Sequence, residues 1–423
     1  MNFLSTRRLS KPLSASEAIL KGLADDGGLY VPESFPSLAN LNINNFASYP
    51  ELAFEVLSPF FENDKYLKSD DLAEICLDAF NFPVPLIKNA ENETTLELFH
   101  GPTAAFKDFG ARFLAATMEK LIAKQERKLT ILVATSGDTG GAVASAFHGK
   151  KGIDVKVLYP KGRVSQRQQK QLTVWGDNIS AYEVDGTFDD CQKMVKDAFM
   201  DKELSDKWGL SSANSINLGR LLPQSVYYVY SSYLYKANFG KNPNYIIPSG
   251  NVGNSCGAYW AFSMGCPIDS IALAVNSNTT IPDYLSSGKY EPRQSKATLA
   301  NAMDVGAPSN MERLFDLYGD IDIFRDFVSS WSVDDETIKR TIKETYEKEK
   351  YIICPHTACA ERVRQDHFKG KPTIVVSTAH PAKFETIVEP LIGKSVDVPQ
   401  SLSVLLNKES HFTSVGTDYH EIF

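Results

Sequence analysis

The pattern of apolar and polar positions changes character along the chain. Over the first ninety or so residues, helical spacing in Ala15 to Leu23, Tyr49 to Leu57 and Asp71 to Phe80 is separated by turn clusters, Asp25-Asp26-Gly27-Gly28 and the Pro32 to Pro36 stretch. This predicts a mainly helical N-terminal unit. From Thr130 onward, short β-branched runs alternate with helical segments: Thr130 to Thr135 then Gly141 to His148, Val155 to Tyr159 then Ser165 to Trp175, Ile179 to Val184 then Asp189 to Met200. That alternation predicts parallel βαβ units.

A long helical pattern covers Gly219 to Ala237 and carries Tyr227, Tyr228, Tyr230, Tyr233 and Tyr235. Tyrosines so placed either line a ligand cavity or pack with a wet hydroxyl end, the commoner use. Further strands are expected at Tyr245 to Pro248, Ile271 to Val275 and Thr373 to Val376, with an exposed helix with i,i+4 charge pairing at Asp334 to Lys350. The fold class is α/β: two doubly wound α/β domains with a ligand cleft between them, plus the helical N-terminal unit. Such folds place ligands at the carboxyl ends of their strands. The expected division is 1–95 for the N-terminal unit, 96–112 with 240–423 for a larger α/β domain, and 113–239 for a smaller, mobile one.

A length of 423 residues fits several cores rather than one. The net charge of -8 and the absence of a long basic block argue against nucleic-acid or anionic-membrane partners, so a small-molecule substrate is expected. Neither a signal-peptide core nor a bilayer-length apolar stretch is evident, which predicts a soluble, cytoplasmic protein. The six cysteines are scattered without a C-x-x-C pair and read as reduced thiols. No histidine and carboxylate set has helical metal-ligand spacing, so no catalytic metal is expected.

Four stretches could carry chemistry. In His100-Gly101-Pro102-Thr103-Ala104-Ala105-Phe106-Lys107-Asp108-Phe109-Gly110 a lysine is flanked by phenylalanines. It is either a solvated surface residue beside Asp108 or a desolvated amine able to condense with an aldehyde, and local composition leaves both open. The run Ile131 to Ala142 ends a strand in Thr135-Ser136-Gly137-Asp138-Thr139-Gly140 and opens a helix, a place suited to a carboxylate. It matches neither a dinucleotide fingerprint nor Walker A. Ile246 to Asn254 repeats the plan, with Ser249-Gly250-Asn251-Val252-Gly253-Asn254 offering converging N–H groups to a phosphate. Finally, Ile374 to Phe384 ends a strand in Ser377-Thr378-Ala379-His380, and Thr378 can offer a hydroxyl into the cleft. His380, like His356 and His100, reads as a structural hydrogen-bonder.

Taken together with Gly22 to Pro32, Leu96 to Thr103, Asn214-Ser215-Ile216-Asn217, Asn301-Ala302-Met303-Asp304-Val305 and Thr378 to Phe384, these stretches resemble the threonine synthase family of the bacterial and fungal kind, within the tryptophan-synthase-like pyridoxal-phosphate enzymes. The resemblance covers nearly the whole chain. It implies pyridoxal 5'-phosphate held as a Schiff base by Lys107, which then shuttles protons between substrate carbons. It also implies a phosphate loop of Gly250, Asn251, Val252, Gly253 and Asn254, and Thr378 at the pyridine nitrogen. Thr135, Ser136, Asp138 and Thr139 would grip the substrate carboxylate. An ionised Asp138 would repel that carboxylate, which leaves it either accepting a proton or orienting hydroxyls.

The implied substrate is O-phospho-L-homoserine, converted with water to L-threonine and phosphate. Lys161, Arg163, Ser215, Asn217 and Arg220 are candidates for its phosphate. The chain departs from the family at Cys354, where an acidic residue usually precedes Pro355-His356-Thr357. Competing readings are a threonine or serine dehydratase, a β-replacing synthase, a phospholyase, or a binding or regulatory protein that has lost turnover. A monomer or homodimer is expected, without an effector domain.

Overall fold

The computed structural model describes residues 1–89, 93–125, 127–135 and 137–423. Its strands, in chain order, are β1 (Phe3–Ser5), β2 (Tyr30–Pro32), β3 (Leu86–Lys88), β4 (Glu93–Glu97), β5 (Leu129–Ala134), β6 (Ile153–Pro160), β7 (Ile179–Val184), β8 (Leu210–Ser212), β9 (Asn244–Pro248), β10 (Ser270–Val275), β11 (Val328–Ser332), β12 (Thr373–Ser377) and β13 (Thr413–Val415). They form a six-stranded sheet ordered β11-β10-β9-β12-β4-β3, a five-stranded sheet ordered β13-β7-β6-β5-β8, and the antiparallel pair β1-β2. Apart from β3 against β4, the pairings in both large sheets are parallel. The α/β class read from the sequence is what the chain adopts.

Parallel strands covered by helices on both faces read as continuous apolar runs, and β5 (Leu-Thr-Ile-Leu-Val-Ala), β10 and β12 do so. The intervening helices start where the sequence supplies caps. Ser165 with Gln168 and Thr187 with Asp190 form capping boxes, satisfying orphan N–H groups at the starts of the helices Gln166–Thr173 and Phe188–Met200. The long tyrosine-rich pattern is broken: a short helix Leu218–Leu221 is followed, across Leu222 and Pro223, by Gln224–Phe239. Pro223 lacks the N–H that a continuous helix would use there.

In the six-stranded sheet β9, β12 and β4 are neighbours, so the loops leaving their carboxyl ends meet. These loops are Gly250 to Asn254, Thr378 to His380, and the segment leading to Lys107. The carboxyl end of β5, in the other sheet, delivers Thr135 to Thr139. The last strand, β13, pairs with β7, so the chain's end returns to the five-stranded sheet. Among the described residues no helix is long and apolar enough to cross a membrane.

Candidate active site

A cavity of about 720 Å³ opens where these loops converge. Lys107 is the first residue of the helix Lys107–Gln125 and lies on the cavity wall. Its loop is held from both sides. Phe106 N donates to Thr378 O at 2.8 Å, His380 N donates to Ala104 O at 3.0 Å, and Ala104 adopts a left-handed φ of 54° to make the turn. Behind it, buried Asp108 accepts from Thr103 N at 2.9 Å and Thr103 Oγ1 at 2.7 Å. Lys107 itself is half-buried. Burial pushes its pKa down to about 8, against the pull of Asp138 and with the help of Lys383 and Arg220. The lysine thus stands on the cavity wall in a partly desolvated position rather than on the outer surface.

Gly250, Asn251, Val252, Gly253 and Asn254 all line the cavity. A Cβ on Gly250 would lie 2.7 Å from Met303 Cα, so only glycine lets the loop close on the Asn301 to Val305 segment. Val252 sits at φ 64°, turning successive N–H groups inward at the start of the helix Gly253–Ser263. Asn251 Nδ2 donates to Ser215 Oγ at 2.6 Å, and Asn251 Oδ1 accepts from Ser309 N at 2.6 Å. Asn254 Oδ1 accepts from Tyr227 OH at 2.5 Å and Tyr228 OH at 2.8 Å. Those two hydroxyls are therefore buried fasteners of the loop rather than the wet ends expected from the sequence.

The fit to an anionic cofactor rests on what the protein leaves unsatisfied. Asn254 Nδ2 is buried without a partner in the first turn of the helix Gly253–Ser263, and its residue lines the cavity. An orphaned donor at a helix start beside a glycine cradle calls for a bound acceptor, and a phosphate ester supplies several. Together with the lysine on the same cavity wall it suits pyridoxal phosphate.

Asp138 opens the helix Asp138–Phe147, and its Oδ1 meets Lys383 Nζ at 2.8 Å and Gln168 Nε2 at 3.3 Å. Burial alone would raise its pKa, but Lys383, Lys107 and His356 hold the carboxyl well below the usual range. The repulsion expected between Asp138 and a substrate carboxylate is thus offset by a lysine to which the sequence reading gave no role, although Lys383 stands in the quoted Thr378 to Phe384 stretch. His356 Nε2 accepts from Ala302 N at 3.1 Å, and burial lowers the imidazole to about 4, so it is neutral near pH 7. Cys354 Sγ accepts from Thr357 N at 3.5 Å, capping the helix Pro355–His367 without the usual acidic charge.

Thr139, Ser215, Arg220 and Thr378 share the cavity wall. Thr135 does not; its Oγ1 accepts from Gly137 N and Gly140 N, both at 2.9 Å, and so shapes the loop. Asn217 is buried as the cap of Leu218–Leu221, with Nδ2 on Ile19 O and Ser212 O. Lys161 and Arg163 are exposed and stand off the cavity wall. Ser136 lies outside the described residues.

This fold and site define a pyridoxal-phosphate-dependent enzyme, and residues 95–378 match the family model described as pyridoxal-phosphate dependent enzyme. Residues 2–80 match the threonine synthase N terminus and 357–422 the threonine synthase C-terminal model. A threonine synthase of Haemophilus influenzae is 40% identical over 95% of this chain and 94% of its own. A pyridoxal-phosphate-bound threonine synthase structure from Brucella melitensis superposes with a TM-score of 0.93 at 35% identity, covering 100% of this chain and 98% of that one. The Escherichia coli threonine synthase structure gives 0.89 at 35% identity, covering 99% and 98%. The chain belongs to the threonine synthase family, and its cofactor is pyridoxal phosphate.

Proposed function

We propose that the protein converts O-phospho-L-homoserine and water to L-threonine and inorganic phosphate, with Lys107 as the cofactor-holding and proton-transferring lysine. The observation that carries the substrate's phosphate is Arg220, a cation only 3% exposed whose Nε has no partner and which shares the cavity with Lys107. A buried guanidinium with an unused donor favours a phosphorylated substrate over threonine or serine, which would leave it unsatisfied.

When bound, pyridoxal phosphate supplies an electron sink for carbanions formed beside the substrate amine. The protein's residues do the rest. Gly250 to Asn254 bind the cofactor's phosphate, and Thr378 orients a hydroxyl toward its ring nitrogen. Lys107 Nζ, with a pKa near 8, can both take and return a proton near neutral pH, which suits transfer among the α, β and γ carbons of the substrate. Asp138 and Thr139 face the substrate carboxylate, while Ser215 and Arg220 hold its phosphate as the leaving group. In this reading the unit around the five-stranded sheet, 113–239, which β13 at the chain's end joins rather than staying with 240–423 as expected, closes over the larger cofactor-holding unit and excludes water until phosphate has left.

The test is product analysis with O-phospho-L-homoserine and cofactor-loaded protein. Threonine and phosphate in equal amounts are expected. Phosphate accompanied by a keto acid and no threonine would replace this reading with a lyase of the same fold.

A further inference from the structure

The buried charges around Lys107 outnumber those the proposed reaction uses. Lys383 is fully buried in the turn Pro381–Phe384 that follows β12, and Asp138 is 4% exposed at the end of β5 in the other sheet. Besides meeting Asp138 Oδ1 at 2.8 Å, Lys383 Nζ donates to Thr103 O at 2.9 Å, within the loop that carries Lys107. Gln171 Nε2 donates to the same carbonyl at 2.9 Å from the helix Gln166–Thr173, and Arg167 of that helix bonds Ala382 O. One lysine thereby ties together three segments: the Lys107 loop, the Asp138 helix start and the turn that follows β12.

We infer that Lys383 is a positioning residue of this active site: by pairing with Asp138 it lets a carboxylate stand beside Lys107 and the substrate without drawing a proton onto the Lys107 nitrogen. The inference rests on Lys107 being the cofactor lysine. A buried carboxylate left alone would either take up a proton itself or stabilise positive charge on its nearest basic neighbour. The groups facing Asp138 are Lys383, Lys107, His356 and Cys354, whose thiol burial pushes up, and those facing Lys107 are Asp138, Lys383, Arg220 and His356; Asp108, behind the loop, is bonded to Thr103. His356 is neutral near pH 7 and Arg220 keeps its charge. Lys383 is then the cation that balances Asp138, leaving Lys107 free to exchange its own proton. A merely structural ion pair would hold the two sheets together but would leave the proton affinity at Lys107 unchanged once the protein was folded.

The experiment is a pH titration of the visible absorbance of cofactor-loaded protein for wild type, Asp138→Asn, Lys383→Met and the double variant. Asp138→Asn leaves Lys383 unpaired and is expected to lower the midpoint by about one pH unit or more. Adding Lys383→Met removes the unpaired cation and restores most of that shift. The double variant carries no unpaired charge, so it remains a valid test even where Lys383→Met alone does not fold. Equal midpoints in Asp138→Asn and the double variant would overturn the inference, as would a folded Lys383→Met protein whose midpoint and pH-rate profile match wild type. Absence of a chromophore from wild type, or its survival in Lys107→Ala, would instead remove the premise about Lys107.

Discussion

Replacing Gly250 by alanine isolates the cofactor cradle, because its backbone needs no left-handed conformation and the whole effect is steric. The added methyl would stand 2.7 Å from Met303 Cα and 3.2 Å from Met303 C and O. Restoring an ordinary contact of 3.4 Å requires about 0.7 Å of separation between two backbones, since 3.4 less 2.7 is 0.7. Neither backbone yields easily. Met303 N is bonded to Ala300 O at 2.9 Å and Met303 O to Val305 N at 2.8 Å, while Asp304 is anchored by Asn276 Nδ2 at 2.8 Å and Thr298 Oγ1 at 2.7 Å. On the other side Asn251 is fixed by Ser215 and Ser309. Overpacking of this kind costs about 1–3 kcal/mol. If the loop that must grip phosphate takes the strain, affinity for pyridoxal phosphate falls roughly five- to a hundredfold, at about 1.4 kcal/mol per factor of ten. The assay is absorbance titration of cofactor-free protein with pyridoxal phosphate. Gly176→Ala serves as the control, since a Cβ there meets nothing within 4 Å. Equal affinities in the two variants would refute the assignment of this loop as the phosphate cradle.

Three further outcomes follow from the same geometry. Removing both hydroxyls, Tyr227→Phe with Tyr228→Phe, leaves Asn254 Oδ1 buried without a donor at a cost of about 1–3 kcal/mol, so cofactor affinity should drop by more than the two single changes together. Arg220→Gln should raise KM for phosphohomoserine about ten- to a hundredfold while leaving the cofactor spectrum intact; an unchanged KM would place the substrate phosphate elsewhere. Burial would raise the Asp64 carboxyl, but bonds from Ser16 Oγ and N, Tyr66 N and Leu67 N bring it below its ordinary value. The depressed folded value means that its stabilisation is complete above the usual carboxylate range and disappears as pH falls through the folded pKa. Asp64→Asn should therefore narrow the gap in unfolding free energy between pH 7 and acid, measured by denaturant titration.

The parts of the fold legible in the sequence are those written in unbroken apolar runs. The expected strand Ile179 to Val184 coincides with β7, and β5, β6, β9, β10 and β12 begin or end within two residues of expectation. β11, Val-Ser-Ser-Trp-Ser, escaped because an edge strand half open to solvent has too few apolar positions to announce itself. β3 and β8 have three residues each, too short for any period. At the site, glycines and hydroxyls after strand ends marked the loops, because such loops use backbone N–H groups that any glycine-rich turn exposes. What they could not show was pairing across sheets. Lys383 reads locally as one more lysine after a proline, and only the meeting of β5 and β12 loops brings it to Asp138. The roles of Thr135 and Asn217 are obscured for the same reason: a polar side chain in a loop turns either toward the ligand or back onto the backbone, and these two turn back.

The claim on which the site stands is that Lys107 is the lysine bonded to pyridoxal phosphate, and borohydride reduction of the loaded protein followed by peptide mass analysis tests it directly. The pyridoxyl mass is predicted on the peptide containing Phe106-Lys107-Asp108. Finding it on Lys383 or any other lysine, or on none, would contradict the account.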